Sequence, residues 1–197
     1  METLSMICGV DEAGRGPWAG PVCGGAVILD PNRPIQGLAD SKKLSSGRRE
    51  ALAQDIETHA LAHGLGWASA AEIDALNIRQ ATHLAMRRAI EAMGIAPEFA
   101  LVDGNDLPAD LPCPGRTVIK GDQIEPCISA ASILAKTARD AQMIAADARF
   151  PGYGFADHKG YGTAAHTLAL KELGPCELHR HSFAPVAKAL RARASHA

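Results

Sequence analysis

Residues 7–16 read ICGVDEAGRG. Ile7 to Val10 is apolar, and it runs straight into two adjacent carboxylates, Asp11 and Glu12. A glycine-flanked arginine, Gly14-Arg15-Gly16, follows at once. The apolar run reads as a buried strand near 5–11. A strand buried on both faces has no packing reason to end in acid. The same pattern recurs where FALV (99–102) meets Asp103-Gly104 and where VIKG (118–121) meets Asp122. A fourth acid, Asp30 after AVIL, is followed by Pro31-Asn32 and reads as a turn. Acids gathered at neighbouring strand ends repel one another unless something neutralises them. Oxygen-only ligands without nearby His or Cys point to Mg²⁺ or Mn²⁺. Four such carboxylates suit two ions and in-line phosphodiester cleavage. Any one Asp at a strand end can equally be a cap, so the argument rests on the set.

Around this stretch the chain alternates strands and helices. A second strand is expected at 22–29, a helix at 45–63 stopped by Gly64, and a short strand at 65–68. An Ala-rich helical stretch at 70–93 reads as two pieces. Short strands at 98–102 and 116–119 flank a Pro/Gly-rich loop, and a long amphipathic helix covers 128–148. Residues 150–162 read as a loop, with closing helices at 163–173 and 185–194. The order predicts an α/β layered domain with a mixed sheet and a helical C-terminal segment, about 150–197, within one domain of 197 residues.

Composition narrows the partners. Apolar residues make up 47% of the chain, enough for a sizeable core, and no run is long enough to span a membrane. The acidic start, METLSMICGV, has no basic region of a secretory signal. Five unpaired-looking cysteines without CxxC spacing suit reduced thiols in the cytoplasm. The net charge of −2 announces no polyanion, but Lys42-Lys43, Arg48-Arg49, Arg87-Arg88 and Lys136 with Arg139 are paired cations. From Lys159 onward the chain is basic. Phosphate binding and a solvated helix face both fit that distribution.

Two further segments carry chemistry. Gly14-Arg15-Gly16 lacks dinucleotide-fingerprint spacing, and a surface turn fits it as well as a ligand contact. If functional, its backbone would hold a sugar hydroxyl, with Arg15 on a phosphate. The 2′-hydroxyl is what distinguishes RNA from DNA. YGFADHKGYGTAAH (153–166) gathers Tyr153, Phe155 and Tyr161 around His158 and Lys159. Tyr153 and Phe155 read as loop packing, and Tyr161 as a surface for stacking on a sugar or base. His158, His166, His179 and His181 match no zinc pattern and read as surface or hydrogen-bonded residues.

With these residues set out, the chain resembles the type 2 ribonuclease H family of bacterial ribonuclease HII enzymes, from about Ile7 to Leu190. The segments that carry the likeness are VDEAGRGPWAG, DSKKLS, LVDGN, KGD followed by ISAASILAKTARD, and YGFADHKGYGT. The resemblance implies a ribonuclease H-like mixed β-sheet flanked by helices, with a helical C-terminal extension. It implies a metal-dependent endonuclease that hydrolyses RNA in RNA–DNA hybrids and cuts 5′ of single ribonucleotides in duplex DNA, as in ribonucleotide excision repair. The ends left would be 3′-hydroxyl and 5′-phosphate. Asp11, Glu12, Asp103 and Asp122 would be the catalytic, metal-holding acids, with two Mg²⁺ or Mn²⁺ ions when substrate is bound. Asp11 and Asp122 would serve the attacking side and Glu12 and Asp103 complete the cluster. Gly14, Arg15 and Gly16 would read the ribose, Tyr161 would stack beyond it, and Lys42, Lys43 and Arg180 would contact phosphates. Ser132, Lys136 and Arg139 match a helix beside the site. HRHSF (179–183) departs from the pattern by placing His181 where a second basic residue is usual, and Cys127 takes a variable position. The extra N-terminal domain of the type HIII enzymes is not expected ahead of an acid at position 11. The expected protein is a cytoplasmic monomer whose partners are nucleic acids. A DNA-cutting nuclease gives no reason for the glycine–arginine segment, and a non-catalytic hybrid-binding module gives none for four acids.

Overall fold

The computed structural model describes residues 6–38, 41 and 44–194. Five strands form one sheet in the order β3-β2-β1-β4-β5. β1 (Ile7–Ala13) lies antiparallel to β2 (Val22–Ile28) and parallel to β4 (Phe99–Asp103). β3 (Ala62–Ala68) pairs antiparallel with β2, and β5 (Gly115–Val118) runs parallel to β4. The sheet is therefore mixed, as expected. β1 runs two residues beyond the expected end, so Glu12 as well as Asp11 lies inside the strand. The β1–β4 pairing nevertheless ends at Val10–Val102. Asp11 and Asp103 thus follow one another's last paired residue, at the carboxyl ends of two neighbouring parallel strands, where open α/β sheets bind ligands.

Local chemistry sets the helix ends. Ser45 caps α1 (Ser46–His59), its hydroxyl accepting from the Arg48 amide. That helix ends five residues before Gly64, because the chain needs 62–68 for a full strand. Ser69 and Glu72 form a reciprocal capping box on α2 (Ala70–Leu76). Asn77, at φ 70°, separates α2 from α3 (Ile78–Ala92) and caps the latter through the Arg79 and Gln80 amides. α4 (Pro126–Arg149) opens on Pro126, which has no amide to leave unpaired. The expected 150–162 loop contains a short helix, α5 (Phe155–His158). α6 (Ala164–Leu173) and α7 (Ala184–Ala194) close the chain. Among the described residues no helix is long and apolar enough to cross a membrane.

Alternation along the strands divides the core. Cys8, Val10, Ala26, Ile28, Ala100 and Val102 meet Met86, Ala89 and Ile90 of α3. On the opposite face Val27 meets Ala130, Ala131, Ile133 and Leu134 of α4 together with Leu52 and Ile56 of α1. β2 admits both helices by lacking side chains at two successive positions. A Cβ on Gly24 would come within 2.6 Å of the Ala85 carbonyl oxygen, and one on Gly25 within 2.4 Å of that of Ala131. Gly25→Ala must therefore push α4 outward. Overpacking of this kind costs about 1–3 kcal/mol, and a thermal melt should fall by ~2–4 °C for each of those kilocalories. An unchanged midpoint would show that α4 does not need this close approach.

Candidate active site

Asp11 is 5% exposed. Its neighbour on the α4 side is Ser132, whose hydroxyl hydrogen-bonds the carboxylate, while the Glu12 amide donates to Oδ1 at 2.7 Å. Ser132 also shares a hydrogen bond of 2.9 Å with Ser41. Burial holds the Asp11 carboxyl well above the usual carboxylate range, and the charges of Glu12 and Asp103 push it the same way. Asp103 ends β4. From β5 the chain turns through Lys120, at φ 56°, into a single 3₁₀ turn, Gly121–Gln123. That turn brings the Asp122 amide to 3.4 Å from Asp103 Oδ1. Ser129 of α4 donates to the Asp122 carbonyl and ties the turn to the helix. Glu12 points across the strand from Asp11, and its carboxylate lies 3.7 Å from Arg15. Glu12, Asp103 and Arg15 line a small cleft with Thr82, His83 and Asp106. Among the described residues no group of three or more His, Cys, Asp or Glu is drawn close enough to hold an ion on protein atoms alone. The four acids are gathered at one end of the sheet as a loose negative rim.

The segment after β1 is held by two buried arginines. Arg139 of α4, 1% exposed, donates to the Pro21 carbonyl at 3.0 Å and to that of Ala19 at 3.2 Å. Arg180 is 0% exposed and donates to the carbonyls of Gly14 at 2.5 Å, Arg15 at 2.9 Å and Gly20 at 2.9 Å. Burial works against the charge on both guanidiniums, and each lies in the other's field. Their donors are spent on main-chain oxygens. The expectation that Arg180 contacts phosphate is corrected here, because a side chain with no exposed surface cannot reach one. Gly14, at φ +99°, sits so close to Arg139 that a Cβ would lie 2.0 Å from its Nε. Arg15 itself projects outward and is half exposed.

Tyr161 meets this segment from the C-terminal side. Its ring, 45% exposed, lies 3.6 Å from where a Gly16 Cβ would stand. The Trp18 amide donates to the Gly160 carbonyl at 2.8 Å, and the Arg180 amide to the Trp18 carbonyl at 2.9 Å. Tyr153 and Phe155 are buried and stacked 5.2 Å apart, so their packing reading holds. The main-chain amides of His181 and Ser182 both donate to Asp74 of α2 at 2.8 Å, fixing the HRHSF turn. Lys42 and Lys43 lie outside the described residues.

Sequence reasoning missed the role of Arg139, though a signal was present. Ser132, Ala135, Arg139, Met143 and Ala146 recur at helical spacing, and all are buried. An arginine in an apolar stripe is an arginine with buried partners.

The profile of the family described as Ribonuclease HII matches residues 8–186. The chain belongs to the ribonuclease HII family. Membership makes it an endoribonuclease, a hydrolase of the ribonuclease H kind that acts on the RNA of RNA–DNA hybrids. A ribonuclease HII of Hyphomonas neptunium is 58% identical over 97% of this chain and 99% of its own length. The ribonuclease H2 structure from Pyrococcus horikoshii OT3, 24% identical, covers 94% of this chain and 97% of that one at a TM-score of 0.78. The ribonuclease HII of Archaeoglobus fulgidus, solved in complex with PCNA, is 27% identical, covers 93% and 96% of the two chains, and has a TM-score of 0.76. These likenesses bear out the ribonuclease H-like mixed sheet with flanking helices.

Proposed function

We propose that this enzyme cleaves on the 5′ side of a ribonucleotide, including a single one embedded in duplex DNA, and leaves 3′-hydroxyl and 5′-phosphate ends. The observation that carries the reading is the contact of Tyr161 with Gly16, with Arg15 reaching back to Glu12 at the acids. It brings a sugar-sized reading surface next to candidate hydrolytic groups. A nuclease indifferent to the sugar has no use for that arrangement.

Asp11, Glu12, Asp103 and Asp122 would hold divalent ions, Mg²⁺ or Mn²⁺. The donor set fits hard cations, being all oxygen, and the Asp11 carboxyl, raised first by burial, is raised further by the charges of Glu12 and Asp103, which a bound cation would offset. Magnesium keeps several waters and shares its remaining positions between one or two carboxylates and substrate phosphate, so a loose rim suits it. When bound, such ions supply activation of water and stabilisation of the departing oxyanion. The chain's own residues do the rest. Ser132 and the Glu12 amide fix the Asp11 carboxylate. The 3₁₀ turn holds Asp122 beside Asp103. Arg139 and Arg180 set the carbonyls of the 14–21 segment, so the backbone facing the ribose is pre-organised. Arg15 is free to swing between Glu12 and a phosphate oxygen. Tyr161 would stack on the sugar beyond the ribonucleotide and register the change from RNA to DNA.

Three duplexes test this: all-DNA, one ribonucleotide in DNA, and a long hybrid, each with Mg²⁺, Mn²⁺ or chelator. Cleavage of the second and third only, abolished by chelator, is expected. Tyr161→Ala should lower kcat/KM on the single-ribonucleotide duplex by about tenfold or more, the scale of losing ~1–3 kcal/mol of stacking. The long hybrid should lose much less, since it offers many registers. Equal losses on both would remove junction sensing from the reading.

A further inference from the structure

Three histidines of the C-terminal segment are buried or half-buried, and their hydrogen bonds leave only one arrangement of protons. The Cys176 amide can only donate, and it meets His179 Nδ1 at 2.9 Å. Neutral His179 therefore carries its proton on Nε2. The Tyr161 carbonyl can only accept, and it meets His166 Nδ1 at 2.9 Å. Neutral His166 therefore carries its proton on Nδ1 and has a bare Nε2. The two Nε2 atoms lie 3.1 Å apart, so His179 donates to His166. The chain of donation runs from the Cys176 amide through both rings to the Tyr161 carbonyl. A second proton on either ring would set two N–H groups against each other or against the Cys176 amide. Both rings are 0–1% exposed, and burial pushes His179 down to about 4 and His166 in the same direction.

Neighbouring rings hold the pair in place. His158 stacks on His166 at 4.4 Å, and its own tautomer is fixed by the Gly160 amide on Nδ1 and the Tyr153 carbonyl on Nε2. Phe155 meets His166 edge-on at 5.7 Å, and Trp18 lies 5.4 Å from it. The ends of the chain of donation matter most. One is the main chain of Tyr161. The other is the Cys176 amide, which fixes His179, and the residue after His179, Arg180, grips the Gly14 and Arg15 carbonyls.

We propose that His166 and His179 are positioning residues for single-ribonucleotide recognition: their directional hydrogen-bond relay sets Tyr161 in register with the Gly14–Gly16 segment. The proposal rests on the reading of Tyr161 as the junction sensor. Neither histidine touches substrate. Each acts through the two elements that would.

Paired variants separate positioning from bulk stability. In His166→Asn the amide nitrogen takes the place of Nδ1 and keeps the bond to Tyr161. In His166→Gln the amide reaches the Nε2 position, keeps the bond to His179 and loses the one to Tyr161. Likewise His179→Gln keeps a donor facing His166, whereas His179→Leu removes it and frees His166 to take the tautomer whose bare Nδ1 cannot donate to Tyr161; the amide nitrogen of His166→Asn always donates and needs no such partner. The Tyr161-releasing or donor-removing members, His166→Gln and His179→Leu, should lower kcat/KM on the single-ribonucleotide duplex by about tenfold relative to the long hybrid. Their partners should keep the wild-type ratio. Nitrogen-15 spectra of the histidine-labelled wild-type protein at neutral pH should show His166 as the Nδ1–H tautomer and His179 as the Nε2–H tautomer. The opposite tautomers, or equal ratios across both pairs, would overturn the proposal. Tyr161→Ala run alongside keeps the two readings apart. If it is unselective, junction sensing fails whatever the tautomers. If it is selective and both histidine pairs are not, only the relay fails.

Discussion

Asp11→Asn is expected to lose at least ~10³-fold in single-turnover cleavage, about 4 kcal/mol of transition-state stabilisation, while hybrid binding and the fold persist. The substitution keeps the shape of the side chain. An amide oxygen still accepts from the Glu12 amide and from Ser132, so β1 and α4 keep their contact. Only the charge goes. Cleavage within tenfold of wild type would remove Asp11 from the catalytic set. The same variant carries a stability signature of opposite sign. The folded protein keeps the Asp11 proton to higher pH than the unfolded chain does. Stability is therefore lost as pH rises from the ordinary carboxylate range through the raised value, and above that range, without a cation, the side chain is a net cost. Asp11→Asn removes that cost. In chelator it should melt above wild type, by ~2–4 °C for each kilocalorie relieved. Added Mg²⁺ should raise the wild-type midpoint more than the variant's. A variant melting below wild type in chelator would show that the hydrogen bonds, not the charge, dominate at this position.

The sheet and its acids were legible because their signals are local. An apolar run broken by Asp marks a strand with something to hold, and ICGV, FALV and the turn after TV each present it. What the sequence could not show was depth. Asp11 lies within β1 because the antiparallel pairing to β2 continues through Ala13 after the parallel pairing to β4 has stopped. That difference between two ladders is a property of the sheet, not of residues 7–13. Tyr153 and Tyr161 are both flanked by glycines, so local sequence does not separate them; the fold does, burying Tyr153 and leaving Tyr161 45% exposed. The histidines were least legible. His166 and His179 stand apart in sequence, and nothing local says that one ring donates to the other. Arg180 misled because a basic residue in a basic segment looks like a phosphate contact. Only the folded chain shows the loop oxygens that surround it.

Arg180→Met therefore makes the second large prediction, and it distinguishes the two tasks. The methionine fills much of the arginine's volume but leaves the Gly14, Arg15 and Gly20 carbonyls without their donor. Stranding buried polar groups costs about 1–3 kcal/mol apiece, and the oxygens have room to relax toward water, so a net loss of ~3–5 kcal/mol is expected. The melting midpoint should fall by roughly 6–20 °C at ~2–4 °C per kilocalorie. Cleavage of the single-ribonucleotide duplex at a temperature where the variant stays folded should fall too, because the 14–16 backbone is no longer held against Tyr161. The slope of log binding constant against log salt should not change. A cation that neutralises one phosphate contributes about one unit to that slope, and a guanidinium sealed beneath a loop contributes none. Arg15→Ala supplies the contrast, since its side chain is exposed beside Glu12 and its loss should flatten the slope while leaving the melt nearly unchanged. If Arg180→Met instead flattened the slope and melted normally, the buried clamp would have to be abandoned in favour of the phosphate contact.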